Sequence, residues 1–392
     1  MRTGSKLLAT STDSFRKLPV GPVDIRTNKV TRCLAVNGKP FWGYGTAFSL
    51  GWLSSFQKNK LDKDNWQLDD LKIHGFNSIW SADATNLQKI AEYQNLLDEC
   101  QKRGIKVLFQ IRINYSTAYA KLKEETLEII NRLKDHQAIL AWNFLDEPDL
   151  GWSKFSDKKE SDLLDLYQEV KAIDPYRPAF INWYLFSNNP FGGIDATDIV
   201  SVDRYPLRYD MLTFKPGFML DIATEINQAA RGKNISTMLF LQLRGYWDMS
   251  REPTPLELRW MSYVSFIQGT RILQFFDYRP MSELLWQSML PLGQELQGLF
   301  TFISAPDSRE LVVANEGPLA YTVWQNGNEY YLIFANTTTK PVAADIDLKE
   351  LTGKIIKTIT PLFETSGAKQ TENILSFSLS PLQCGSYKIL CQ

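Results

Sequence analysis

Ile139-Leu-Ala-Trp-Asn-Phe-Leu-Asp-Glu-Pro-Asp149 decides how this chain is read. The stretch opens as an apolar run interrupted only by Asn143. A short run of that kind, bounded by a turn signal, reads as a strand buried on both faces. It then meets three acids, Asp146, Glu147 and Asp149, with Pro148 between them. A buried parallel strand whose C-terminal edge carries acids is how an α/β barrel presents its reactive groups. The flanks test this reading: three strands should precede the stretch and four should follow, with helices between them.

Upstream, Phe41 to Phe48 reads as the first strand, and Phe76 to Trp80 as the second, running into Asp83. Leu87 to Arg103 has apolar residues at helical spacing and is closed by Gly104. Ile105 to Ile111 is the third strand, followed by Arg112 and Asn114, and Thr117 to Lys134 is a helix. Downstream, a helix opens at Ser161 and stops at Pro175, and Ala179 to Tyr184 is the fifth strand. Ile199 to Val202 runs into Asp203-Arg-Tyr-Pro206 as the sixth. A helix over Met219 to Ala230 leads to the seventh, Thr237 to Leu243. The next helix has the best start signal in the chain: Thr254 to cap, Pro255 at the first helical position and Glu257 to close a capping box. Arg271 to Phe276 is the eighth strand, ending at Asp277-Tyr278, and Ser282 to Phe302 is the last helix. Eight strands alternating with helices imply a parallel (β/α)8 (TIM) barrel over residues 30–304.

Beyond Ser304 the pattern changes to short alternating runs, with Asn326-Gly327 as a hairpin signal. Residues 305–392 are therefore expected to form a small antiparallel β-sandwich. Residues 1–29 read as a disordered leader.

Function in a barrel lives at the C-terminal ends of the strands. Those ends collect Asp83, Arg112, Asn114, Asp146, Glu147, Trp183, Tyr184, Asp203, Tyr205, Gln242, Arg244, Tyr246, Trp247, Asp277 and Tyr278. The set is rich in carboxyl groups and flat rings and holds neither His nor Cys. Glycoside hydrolysis needs one carboxylic acid for the leaving oxygen and a second group at the anomeric carbon. Aromatic faces suit the C–H faces of sugars. Both histidines, His74 and His136, precede strands and so belong to the other end, which counts against Ser–His chemistry and against a His-ligated metal. No cofactor is called for.

Asp146-Glu147-Pro148 resembles the Asn/Asp-Glu-Pro acid/base motif that ends strand four in many (β/α)8 glycoside hydrolases. The Asn37-Gly-Lys-Pro-Phe41 entry and Arg251-Glu-Pro-Thr-Pro-Leu-Glu-Leu-Arg259 also resemble segments of such enzymes. The resemblance implies that Glu147 is the general acid and that the substrate is an oligo- or polysaccharide. It breaks at strand seven, where the family's retaining members place a nucleophilic Glu and this chain has Gln242. Asp203, next to the strand that lacks that Glu, is the expected second group. Asp277 and substrate assistance through Asp146 are the other routes. Arg112, Asn114, Trp183, Tyr184, Tyr205, Gln242, Arg244, Trp247, Asp277 and Tyr278 are the expected sugar contacts. A catalytically inactive carbohydrate-binding barrel and a cell-wall transglycosylase are the competing readings.

Charge and composition agree with a carbohydrate partner. The 392 residues carry a formal net charge of −1, which argues against a nucleic-acid or anionic-membrane surface. No run is long and apolar enough to span a bilayer, and oligomeric state is not encoded in composition. The first 19 residues hold no apolar signal core. A removed signal would make the protein secreted or periplasmic, and one that never existed would make it cytoplasmic. Cys384 and Cys391 flank one expected strand and so stand too far apart to bond each other, and Cys100 falls on the apolar face of its helix.

Overall fold

Eight parallel strands close on themselves: Gly43–Phe48, Ser78–Ala84, Lys106–Ile111, Ile139–Asp146, Ala179–Trp183, Ile199–Val202, Ser236–Gln242 and Ile272–Phe276. In this computed structural model the described residues are 2–3, 6–7, 21, 23–48, 66–84, 87–111, 114–154, 157–159, 161–185, 193–207, 213–245, 251–363 and 368–391. Each strand pairs with its sequence neighbours, and strand eight closes on strand one. Strand four therefore lies across the barrel from strand eight.

Alternation along the strands sorts the side chains into two layers. Ala47, Trp80, Leu108, Phe180, Ile199, Met238, Phe240 and Ile272 form one buried cluster inside the barrel. Ile79, Phe109, Phe144, Ile181, Trp183, Leu239 and Phe275 belong to the larger cluster between strands and helices. Val23, Ile25 and Leu34 join the interior cluster. Ile25 and Leu34 come from a small antiparallel sheet, Ile25–Thr27, Leu34–Val36 and Lys39–Phe41, and Val23 lies just before it. This sheet floors the barrel under the strand starts. Part of the expected leader is thus structured: Val23 and Ile25 are buried in the interior cluster, and Arg2–Thr3 pairs with Lys6–Leu7. Strand one starts at Gly43, since Lys39–Phe41 pairs into the floor instead.

The capping box forms as expected. Thr254 Oγ1 accepts from the Glu257 N–H at 3.2 Å and Glu257 Oε2 accepts from the Thr254 N–H at 2.8 Å, which stabilises the helix Pro255–Gln268 by about 1 kcal/mol. Glu252 likewise accepts from the Met281 and Ser282 N–H groups.

The C-terminal domain pairs a five-stranded antiparallel sheet with a three-stranded one around a shared core that includes Val323, Leu332, Phe334, Ile346, Leu375, Phe377 and Ile389. The Asn326-Gly327 hairpin is present, with Gly327 at φ 60°. Ala368–Thr371 is a further strand that the alternation did not reveal. The domain packs firmly on the barrel: Phe302 stacks on Tyr331 at 4.2 Å, and Trp260 Nε1 donates to Asn336 O at 2.7 Å. The four cysteines are free, and Cys384 and Cys391 are the two ends of one strand. Among the described residues no helix is long and apolar enough to cross a membrane.

Candidate active site

Strand four ends at Asp146, and the next residue does not continue it. Glu147 adopts the left-handed conformation, φ 47° and ψ 49°, and Pro148 begins a short helix. Consecutive strand residues point to opposite faces, so the break is what lets two adjacent acids serve one site. A left-handed conformation on a residue with a side chain costs on the order of 1–3 kcal/mol and needs support from its surroundings. Two clamps supply it. The Glu147 N–H donates to Asn182 O at 2.7 Å. The Tyr115 hydroxyl brackets the preceding residue, accepting from the Asp146 N–H at 2.9 Å and donating to the Asp146 carbonyl.

A polar chain crosses from strand four to strand six. Asn182 Nδ2 donates to Asp146 Oδ1 at 3.1 Å, and Ser201 Oγ donates to Asn182 Oδ1 at 2.6 Å. Two residues after Ser201 comes Asp203, whose side chain is within hydrogen-bonding reach of both Asn182 and Glu147. Asp203 Oδ1 is buried without a partner. Burial first, and then the neighbouring Glu147 and Asp146 carboxylates, hold the Asp203 carboxyl well above the usual carboxylate range. Burial and the neighbouring like charges both favour the protonated form of this carboxyl.

Across the mouth, Asp277 follows strand eight. Burial raises its carboxyl, while the Tyr278 N–H at 2.6 Å and the Arg244 guanidinium at 3.5 Å favour the ionised form. Tyr205 stacks on Phe276 at 5.7 Å and is nearly buried. Arg204 lies over the Tyr184 and Phe218 rings at 5.6 and 4.9 Å.

Several expected sugar contacts are placed elsewhere. Trp183 is fully buried in the layer between strands and helices, because Asn182 takes the inward phase of that strand. Gln242 is fully buried and spends its amide on loop backbone. Its Oε1 accepts from the Leu207 N–H at 2.9 Å, and its Nε2 donates to Leu207 O at 2.9 Å and Arg244 O at 3.1 Å. The Tyr278 hydroxyl donates to Asp70 at 3.2 Å, and its ring packs edge-on against Phe48 and Trp286. Asn114 is exposed and uses its side-chain oxygen on the Ser116 N–H. Arg112, Tyr246 and Trp247 lie outside the described residues.

Three residues that strand-end reasoning passed over help build the site: Tyr115, Asn182 and Asp149. Asp149 accepts from the Tyr184 and Leu185 N–H groups at 3.3 and 2.5 Å and so anchors the loop after strand five. Asn182 was legible from phase, since it lies two residues from inward-facing Phe180. Tyr115 sits in a loop and left no signal.

No family model matches the chain. A β-glucuronidase from pig (Sus scrofa) is 28 % identical over 224 residues, which cover 55 % of this chain and 32 % of that protein. The chain thus spans about a third of that curated relative. Among solved structures, a GH27 β-L-arabinopyranosidase from Geobacillus stearothermophilus superposes with a TM-score of 0.58 at 11 % identity, covering 90 % of this chain and 96 % of that one. An Anoxybacillus α-amylase gives 0.56 at 12 % identity, covering 83 % and 89 %. A family 30 xylanase from Clostridium acetobutylicum gives 0.53 at 13 %, covering 89 % and 96 %. All four are glycoside hydrolases. At these structural identities the shared property is the fold, an eight-stranded parallel barrel.

Proposed function

We propose that this protein cleaves glycosidic bonds at the mouth formed by strands four, six and eight. The observation that carries the reading is the contact between Glu147 and Asp203, with a buried, unpartnered Asp203 Oδ1 beside it. The raised Asp203 carboxyl favours keeping a proton beside Glu147, and protonation of a leaving glycosidic oxygen requires such a proton. Glu147 is the general acid in this reading. Asp203, buried and favoured in its protonated form beside Glu147, holds the proton in this reading rather than attacking the sugar. The second carboxylate is then Asp277, after the strand opposite; burial raises its carboxyl, and the Tyr278 N–H and Arg244 oppose that rise. Asp146, fixed by Asn182, orients the sugar or its substituent. Tyr205 and Phe276 offer an apolar face for the ring.

The test is turnover of a panel of aryl glycosides and oligosaccharides, glucuronides included because of the pig relative and of half-exposed Arg244. Hydrolysis of any of them, abolished in Glu147→Gln, is the expected result. A sugar that raises the melting temperature without being turned over replaces the enzyme by a carbohydrate-binding barrel. Azide added to Asp277→Ala and to Asp203→Ala separates the two carboxylates. A glycosyl azide from the first alone supports Asp277 at the anomeric carbon, whereas one from the second alone returns that role to Asp203.

A further inference from the structure

The opposite end of the barrel holds a charge cluster that the proposed reaction does not use. Arg32, Arg231 and Arg271 surround one carboxylate, Glu310, on the first strand of the C-terminal domain. Arg32 comes from the turn in the floor sheet and has a left-handed backbone, φ 59°. Arg231 is in the last turn of the helix Pro216–Lys233, and Arg271 immediately precedes strand eight.

The contacts to Glu310 are long, at 3.5 Å from Arg32, 3.2 Å from Arg231 and 3.6 Å from Arg271. Guanidinium groups remain charged in proteins, so one carboxylate leaves the cluster with two excess positive charges. The Arg32 and Arg271 side chains are 4 % and 0 % exposed. The other acceptors of Arg271 are the neutral carbonyls of Thr31, Phe266 and Thr270. Adjacent Cys33 does not balance the charge, because burial opposes its ionisation. Arg32 Nη1 and Arg271 Nη2 are both buried without hydrogen-bond partners, the latter with only the 3.6 Å ion-pair contact to Glu310 Oε1.

A buried charge persists where it is paired. Orphan N–H groups from two arginines, bordering the same excess charge, are the donor set that an anion takes. The cluster reaches the surface at Arg231 and Glu310, which are 29 % and 19 % exposed. Gly269 leaves the arginines their space: a Cβ there would stand 2.7 Å from Arg32 Nη2.

We propose that this joint between barrel floor and C-terminal domain binds a small inorganic anion, with chloride as the ambient example. The anion ties together the floor turn, the start of strand eight and the second domain.

The experiment uses the full chain, with bromide as the probe. Crystals grown in sodium gluconate and soaked in sodium bromide should show an anomalous peak between Arg32 and Arg271. Replacing gluconate by bromide at constant ionic strength should raise Tm saturably by roughly 2–4 °C. That rise should shrink in Arg231→Gln and in Arg32→Gly, the latter chosen because glycine accepts the left-handed backbone. Bromide density elsewhere, or none in the cluster, overturns the proposal whatever the melting curves show. A bromide response unchanged in both variants overturns it as well.

Discussion

The ends of strands six and seven are neighbours built to opposite specifications. At the end of strand six, Asp203 has a buried oxygen with no partner and two carboxylates beside it. At the end of strand seven, Gln242 has both amide atoms satisfied, largely by the backbone N–H and C=O of a single residue, Leu207. Unsatisfied polar groups are costly and persist where something other than stability retains them. Satisfied ones report architecture. The contrast favours the proposed placement of the chemistry on the strand-four side of strand six. It also makes Gln242 a clamp that holds the loop after strand six against the loop after strand seven, rather than a nucleophile that has lapsed into an amide.

The largest test of that contrast is Glu147→Gln. Loss of the proton donor should lower kcat on glycans by roughly 10²–10⁴ and lower it less on substrates with acidic leaving groups. Steady-state rates on both substrate types check this, and a wild-type rate on glycans removes Glu147 from the role.

Asp203→Asn probes the shared proton. The wild-type carboxyl holds its proton more tightly folded than unfolded. Wild-type stability is therefore lost progressively as pH rises from the ordinary Asp value of about 3.9 to the raised folded value, and is level above it. The variant lacks this loss. Its stability relative to wild type should grow with pH across that window, and the basic limb of its kcat/KM profile should move to lower pH. Denaturation curves that run parallel at every pH would show that Asp203 is not perturbed.

Gln242→Glu examines the other side of the comparison. A carboxylate cannot donate to Leu207 O, so denaturation should show a loss of about 1–3 kcal/mol with no gain in turnover. A variant that is more active than the parent would make position 242 a catalytic one after all. The smallest effect is expected for Tyr115→Phe, which removes the hydroxyl from the Asp146 peptide. Stability should fall by about 0.5–1.5 kcal/mol, and kcat should fall more than KM changes because Glu147 is less firmly placed. An unchanged kcat would confine Tyr115 to folding.

Local signals in the sequence determined the architecture. The eight apolar runs, the Thr254–Glu257 capping box, the Asn326-Gly327 hairpin and the break at Pro148 each act over a few residues, through periodicity, capping and turn chemistry. They were legible because their physical causes are local. Tertiary structure alone decided which strand-end residues face the mouth. Trp183 and Gln242 are the right residue types at strand ends, yet one turns to the helices and the other bonds a neighbouring loop. Asn182 and Tyr115 were passed over and yet hold the acids. The phase of a strand end depends on bulges and on the loops that close over it, such as the extra residue, Phe144, that strand four carries between the partners of Phe180 and Ile181. The raised carboxyl of Asp203 depends on its burial in the closed barrel and on two carboxylates from the end of another strand. Interactions between residues about 60 positions apart, brought together by barrel closure, leave no trace in the local pattern of either.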